Sequence, residues 1–358
     1  MNPAKGNENS PLVIVTGGAG FIGSHLVERL LKDGFQVAVI DDFSTGSHDN
    51  LKDFAGHPQI QIASCKISEC VYLQEWVKKA VFIYHLAATV GVELVMKSAL
   101  QVLEDGFDET RVLLRAAADA GTPVLLTSTS EVYGKSSRDS FDEEDDLLIG
   151  PPGQPRWSYA CSKLADEFMA FAYARERQLP VIIARLFNTV GPRQTGRYGM
   201  VLPRFIASAQ NCENLKVFGD GLQTRCFCLV HDVVEALVRL QKCPSAAGQV
   251  FNIGSTEEIS ILELARLVVS TLESSSGVEM VPYANAYPLN SNRDGLDRSQ
   301  ISPVVDDMRR RKPSVGKLHH FTGYVPRTSL KEIILITARS LAPTAGGHQG
   351  GQRPLKGG

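Results

Sequence analysis

An apolar run, Leu12 to Val15, leads into Thr16, Gly17, Gly18, Ala19, Gly20, Phe21, Ile22 and Gly23, and a polar-apolar helical stretch follows from Ser24. Few chain paths suit that spacing. Glycines at 17, 20 and 23 let the backbone turn sharply, approach a bound group with no Cβ in the way, and pack the next helix closely on a sheet. The helix N-terminus then faces an anion. With a strand before it and a helix after it, the turn reads as a pyrophosphate cradle rather than as an isolated tight turn. Asp41 and Asp42 follow the second apolar run, about twenty residues past the last glycine, where a carboxylate accepts hydrogen bonds from an adenosine ribose diol. The same carboxylate repels a 2′-phosphate, and no arginine follows closely in DDFSTGSH, so the expected dinucleotide is NAD rather than NADP.

The rest of the first half repeats this alternation of short apolar runs and longer amphipathic stretches. Expected strands are Leu12 to Thr16, Gln36 to Ile40, Ile60 to Ser64, Val81 to His85, Val124 to Thr127 and Val181 to Leu186. Expected helices are Ile22 to Lys32, Tyr72 to Lys79, Leu100 to Ala120 and Trp157 to Arg177. The fold class is α/β, a Rossmann-type doubly wound parallel sheet. After Gly191 the rhythm shortens to Val201–Gln210, Arg225–Val230, Asp232–Gln241, Val250–Ile253 and Ile261–Leu272. Ser260 and Glu263 form a capping box for the last of these, with Ile261, Leu264, Ala265 and Val268 on one face. The expected organisation is a flexible segment over 1–11, an NAD-binding domain over 12–190 and a smaller mixed α/β substrate lobe over 191–340. A disordered tail is expected over 343–358, where sixteen residues include six glycines and two prolines.

Composition excludes several classes of partner. The chain has 37 basic and 39 acidic residues for a formal charge of −2, so no basic excess points to nucleic acid or an anionic membrane. Phosphate groups must be bound by local architecture. Seven cysteines without paired spacing imply a reduced, cytoplasmic setting, and no apolar run reaches the ~18 residues of a membrane span. No His/Cys cluster has metal-ligand spacing. Cys226 and Cys228 read as core or pocket-wall thiols, and His85 as a buried, hydrogen-bonded structural histidine.

Tyr159 and Lys163 stand four apart in SYACSK, which places both on one helix face. An ammonium there favours phenolate, and such a tyrosine removes a hydroxyl proton while hydride leaves the same carbon. Thr129, Ser130 and Glu131 follow the strand from Val124, at the sheet edge where open α/β folds bind ligands.

Taken together, TGGAGFIGSH, DDFSTG, HLAA, STSEVYG, YACSK, RLFNTVGPR, QTRCF and FNIG resemble, in order over roughly residues 12–335, the extended short-chain dehydrogenase/reductase family in its nucleotide-sugar epimerase, dehydratase and decarboxylase branch. The resemblance implies that Gly17, Gly20, Phe21, Ile22 and Gly23 hold the NAD pyrophosphate. Asp41 would bind its ribose, and Ala87 and Ala88 would line the cofactor. Tyr159 and Lys163 would be the catalytic pair, Lys163 also touching the nicotinamide ribose, and Thr129 would bond the reacting sugar oxygen. Asn188, Arg193 and Arg225 would grip the diphosphate of a nucleotide sugar, with a UDP-sugar expected. A homodimer is implied, paired through the helix that bears Trp157, Phe168 and Met169.

Three positions depart from the family pattern. Lys66 stands where relatives usually have an acidic residue near the adenine. Gly106 stands near an asparagine that supports the tyrosine and lysine. The third departure selects the reaction: Thr129-Ser130-Glu131 lacks the Asp that dehydratases use as general acid, and simple 4-epimerases more often have small or hydroxyl residues in place of Glu131. UDP-glucuronate decarboxylases resemble this chain at Ser130 and Glu131 and also at Arg311, near the sugar carboxylate. A 4-ketone is β to that carboxylate, so its loss as carbon dioxide leaves an enolate that the site stabilises before protonation at C5. Decarboxylation of UDP-glucuronate to a UDP-pentose therefore stands ahead of 4-epimerisation of a UDP-sugar, toward which GPRQTGRYGM and SYACSK lean. A non-catalytic NAD-binding protein is the third reading.

Overall fold

The computed structural model describes residues 10–88, 99–154, 157–194, 200–282 and 308–341. Of the segment expected to be flexible, 1–11, residues 1–9 lie outside the described residues, as does the tail 343–358, while Ser10 and Pro11 accept hydrogen bonds from Gln59 and Gln36. The first half runs β1 (Leu12–Thr16), α1 (Phe21–Lys32), β2 (Gln36–Ile40), β3 (Ile60–Ala63), α2 (Leu73–Lys79) and β4 (Ala80–His85). It continues with α3 (Ala99–Ala120), β5 (Val124–Thr129), α4 (Trp157–Arg177) and β6 (Val181–Leu186). The second half runs β7 (Thr189–Val190), α5 (Val201–Gln210), β8 (Leu215–Phe218), β9 (Thr224–Cys226), β10 (Cys228–Leu229), α6 (Val230–Gln241) and β11 (Gln249–Ile253). It ends with β12 (Glu258–Ser260), α7 (Ile261–Thr271), β13 (Val278–Val281), α8 (Gly316–Thr322) and α9 (Leu330–Leu341).

A seven-stranded parallel sheet, in the order β11-β6-β5-β4-β1-β2-β3, is the frame. Its strands read as apolar runs because helices cover both faces. Successive residues point to opposite faces. Val13 and Val15 accordingly join Leu26 and Leu30 of α1 and Leu237 of α6 in one core, while Ile14 joins Val77 of α2 and Leu113 of α3 in the other. The strand order reverses between β1 and β4, which opens a crevice at the carboxyl ends of the strands.

Two expectations change here. Val250–Ile253, assigned from the sequence to the second lobe, lies in β11 and pairs with β6 in the main sheet, and α6 packs on the same core as α1. The chain thus returns to the first layer before ending in the second. Arg225–Val230 is not one strand: β9 pairs antiparallel with β12, β10 pairs parallel with β7, and α6 has already begun at Val230. One apolar run serves two sheets, and the bend falls at Phe227.

The outer lobe has its own core of α5, β8, α7 and α9, including Phe205, Ile206, Leu215, Leu264, Ile333 and Ile334. Its α7 is held by the expected capping box, with Ser260 accepting from the Glu263 N–H and the Glu263 carboxylate accepting from the Ser260 N–H. Among the described residues no helix is long and apolar enough to cross a membrane.

Candidate active site

The glycine turn after β1 is as tight as its sequence demands. Gly17 has φ +70°, and a Cβ there would lie 2.7 Å from the Ala87 nitrogen; a Cβ on Gly23 would lie 2.0 Å from the Gly17 carbonyl oxygen. Gly20 is the N-cap of α1, no side chain caps it, and no acidic residue occupies the first turn. That helix end therefore offers N–H groups and a positive dipole end to an anion. At the end of β2, Asp41 accepts from the Ala19 N–H at 2.8 Å and the Phe43 N–H at 2.9 Å. Burial raises its pKa, although both backbone donors oppose the shift. Its oxygens keep further acceptor capacity, as a ribose diol requires.

These groups open into a cleft of about 1460 Å³ lined by Gly17, Gly20, Asp41, Ala87, Thr129 and Tyr159, among others. Phe21, Ile22, Gly23 and Ala88 also line it. The volume exceeds the ~300–1,000 Å³ of single small-molecule sites, so there is room for a dinucleotide and a second nucleotide together. The bare cradle, the helix end and the Asp41 carboxylate all fit NAD.

At the carboxyl end of β5, Thr129 accepts from the Glu131 N–H at 3.3 Å, which leaves its own proton to donate into the cleft. Ser130 is almost fully buried beside it. Tyr159 lies half-buried on the cleft wall, and Lys163, one turn later, is 4% exposed. From the sequence, Lys163 is expected to lower the Tyr159 pKa. The structure shows the reverse: burial first, then the charges of Glu131 and Asp166, push the phenol up. Loss of water around the phenol is thus the main cause, and the Lys163 ammonium is itself engaged by Asp166 Oδ2 at 3.2 Å.

Arg311 also lines the cleft; it is buried, and its Nη2 donates to Glu131 Oε1 at 3.0 Å. The other departures also find their explanation. Lys66 pairs with Asp105 of α3 at 2.8 Å, and both side chains line the cleft. At Gly106 a Cβ would meet Ser162 Oγ at 2.5 Å, so the side chain missing from α3 lets α4 approach closely.

Asn188, Arg193 and Arg225 line the same cleft from different walls. Asn188 donates to the Cys226 carbonyl, Arg225 to the Thr224 and Met308 carbonyls, and Arg193 reaches Glu28 on α1 at 2.7 Å. His25 of α1 donates to the Pro192 carbonyl and fixes this segment; burial lowers its pKa to about 4. Residues that were not singled out from the sequence are Arg204, Lys216 and Phe218 in the outer lobe, where Arg204 lies 5.8 Å from the Phe218 ring centroid. An aromatic residue just before Gly219-Asp220-Gly221 was the available signal. Trp157, expected on an outer helix face, is instead packed with Tyr133, Phe141 and Phe187. Phe168 on the same helix is 65% exposed. Among the described residues no group of His, Cys, Asp and Glu is arranged to hold a metal ion.

The family model described as the NAD dependent epimerase/dehydratase family matches residues 13–254. The chain is 39% identical over 326 residues to the UDP-N-acetyl-alpha-D-glucosaminuronate decarboxylase of Bacillus cytotoxicus, covering 90% of this chain and 96% of that protein. It is 34% identical over 320 residues to UDP-glucuronic acid decarboxylase 1 of Xenopus tropicalis, covering 89% and 69%. Among solved structures it is similar to a variant UDP-glucuronic acid 4-epimerase from Bacillus cereus in complex with UDP-4-deoxy-4-fluoro-glucuronic acid and NAD. That match has a TM-score of 0.77 and 27% identity, and covers 92% of this chain and 98% of the other.

Proposed function

The chain belongs to the NAD-dependent epimerase/dehydratase family, and on that premise we propose that it is a decarboxylase of a UDP-linked hexuronate, of the UDP-glucuronate type. The observation that carries this reading is the buried Arg311–Glu131 pair at the reacting end of the cleft. A guanidinium there suits a carboxylate on C6 of the sugar, and the decarboxylase relatives point to the same chemistry.

Bound NAD supplies a reversible hydride acceptor for C4 of the sugar. The protein does the rest. Gly17, Gly20 and Gly23, with the Phe21 and Ile22 end of α1, hold the pyrophosphate, while Asp41 takes the ribose and Ala87 and Ala88 line its face. In its phenolate form, which the Lys163 ammonium favours, Tyr159 takes the C4 hydroxyl proton, and Thr129 donates to the same oxygen. Ser130 backs this edge. Arg311 aims the C6 carboxylate. Glu131, beside it, makes a second negative charge unfavourable, so that repulsion is relieved when the C5–C6 bond breaks, carbon dioxide leaves and the electron pair passes to an enolate at the C4 oxygen facing Thr129 and Tyr159; uptake of a proton at C5 restores the ketone. Asn188, Arg193 and Arg225 grip the diphosphate, and Phe218 with Arg204 offers a stacking wall for the base.

The seven cysteines are unpaired, which suits a reducing cytoplasm. Leu103 and Phe107 on α3 and Phe168 on α4 are exposed apolar side chains on adjoining helices, which supports a homodimer paired across that face. The test of the function is product mass after incubation with NAD and a panel of UDP-glucuronate, UDP-N-acetylglucosaminuronate, UDP-glucose and UDP-N-acetylglucosamine. Loss of carbon dioxide from a uronate supports the proposal. An isomer of unchanged mass assigns 4-epimerisation instead, and bound NAD with no turnover assigns a non-catalytic protein.

A further inference from the structure

Behind the cleft a chain of buried polar groups joins the nucleotide turn to the helix of Tyr159. Thr16 at the end of β1 donates to His85 Nδ1 at 2.7 Å, and His85 Nε2 donates to the Thr110 hydroxyl of α3 at 3.1 Å. That hydroxyl faces the Asp166 carboxylate, which receives the Lys163 ammonium at 3.2 Å. We propose that Asp166 is a positioning residue: its carboxylate holds the Lys163 ammonium and sets how much of that positive charge reaches the Tyr159 hydroxyl.

The neighbouring groups are arranged to leave this role to Asp166. Glu167, the next residue on α4, is engaged by Arg185 of β6 through Nε at 3.0 Å and Nη2 at 2.7 Å, and it accepts from Ser128 of β5. Its charge is thereby matched elsewhere. Asp166 is 1% exposed, faces Lys163 as its cation, and has Oδ1 without a hydrogen-bond partner among the described residues. His85 of β4, on the far side of Thr110, is held neutral by burial and by Lys163, so it adds no competing charge. The remaining acid facing Tyr159 is Glu131, after β5, which Arg311 pairs with. A carboxylate that shares the ammonium on one side leaves less of it for the phenol on the other. Gly106 and Ser162 bring α3 and α4 close enough for Thr110 to meet Asp166 across that seam.

This inference rests on the reading of Tyr159 and Lys163 as the reacting pair, but its test needs neither substrate nor NAD. A fluorinated tyrosine of low intrinsic pKa is placed at position 159, so that its titration falls where the protein is folded, and is followed by fluorine NMR. Asp166→Asn is expected to lower the midpoint by about one pH unit, while Asp166→Glu, which keeps the charge, restores it. Where Asp166→Asn does not fold, Asp166→Ser, which leaves room for a water, carries the same expectation. An unchanged or raised midpoint in the folded neutral variant overturns the proposal. Undiminished turnover by Tyr159→Phe would instead remove the base, a separate outcome that the fluorine titration does not touch.

Discussion

Arg311 Nη2 lies 3.0 Å from Glu131 Oε1, joining residues 180 positions apart at the wall of the cleft that Tyr159 also lines. Both side chains are largely buried. A buried pair of this kind is weak evidence for stability, because desolvation offsets much of the attraction. Its value lies in what it presents to a ligand. Arg311→Ala is expected to lower kcat/KM on the uronate by about a hundredfold, the scale of a lost, desolvated charge contact of ~2–5 kcal/mol. Transient NADH formation with UDP-glucose, which has no carboxylate for Arg311 to hold, is expected to remain. Steady-state kinetics and NADH absorbance on the same variant check both outcomes.

Tyr159→Phe removes the hydroxyl while keeping the ring that lines the cleft. Turnover is expected to fall by about 10²–10⁴-fold, the usual contribution of a general base. NAD affinity, measured by calorimetry, is expected to stay within about twofold.

Gly23→Ala tests the cradle. Its Cβ would sit 2.0 Å from a backbone oxygen that has nowhere to go, so α1 must shift away from the turn. Overpacking of ~1–3 kcal/mol corresponds to NAD binding weakened about tenfold or more, measurable by equilibrium titration.

The pH dependence of stability follows from His85. Burial holds its pKa at about 3, against 6.5 for the free side chain. The folded value is the lower one, so the unfolded chain binds the extra proton, and stability falls as pH drops below 6.5 toward 3. The slope is about 1.4 kcal/mol per pH unit. Asp41, Glu143 and Asp166, whose pKa values are raised, act in the opposite sense. They are present in both proteins, so comparing wild type with His85→Gln cancels them. Chemical denaturation between about pH 5.5 and 4.5 is expected to show a slope smaller by close to one proton in the variant.

Phe168→Glu places a charge on the exposed face of α4. Sedimentation is expected to show the wild type as a dimer and the variant as a monomer that still binds NAD. A wild type that sediments as a monomer at working concentration contradicts the proposed pairing.

The parts of the molecule that were legible in the sequence are those specified by neighbours along the chain. Gly17, Gly20 and Gly23 follow an apolar strand by a fixed spacing, Tyr159 and Lys163 share a helix face, and Ser260 and Glu263 cap α7 locally. What was missed depends on partners distant in sequence. Nothing within Val250–Ile253 says that it pairs with β6, and Trp157 reads as an outward residue until Phe141 and Phe187 are brought beside it. A fall in the Tyr159 pKa is expected because the Tyr-Lys spacing is visible, while the burial of the phenol and the charges of Glu131 and Asp166 that raise it depend on the folded surroundings. Leu330, Ile333, Ile334 and Ala338 do carry helical spacing in α9, with Ser329 and Glu332 bonded across its first turn. That signal is local, set by residues within a turn or two of one another.

In the proposed reaction the cleft removes C6 of a UDP-linked uronate as carbon dioxide while NAD is regenerated. The direct measurement supplies UDP-glucuronate or UDP-N-acetylglucosaminuronate carrying a carbon isotope label at C6, with NAD in catalytic amount, and follows the label by NMR. Label is expected to appear as bicarbonate, together with a UDP-pentose product, and Arg311→Ala is expected to suppress it. Label that stays on the sugar while the C4 configuration changes would contradict it.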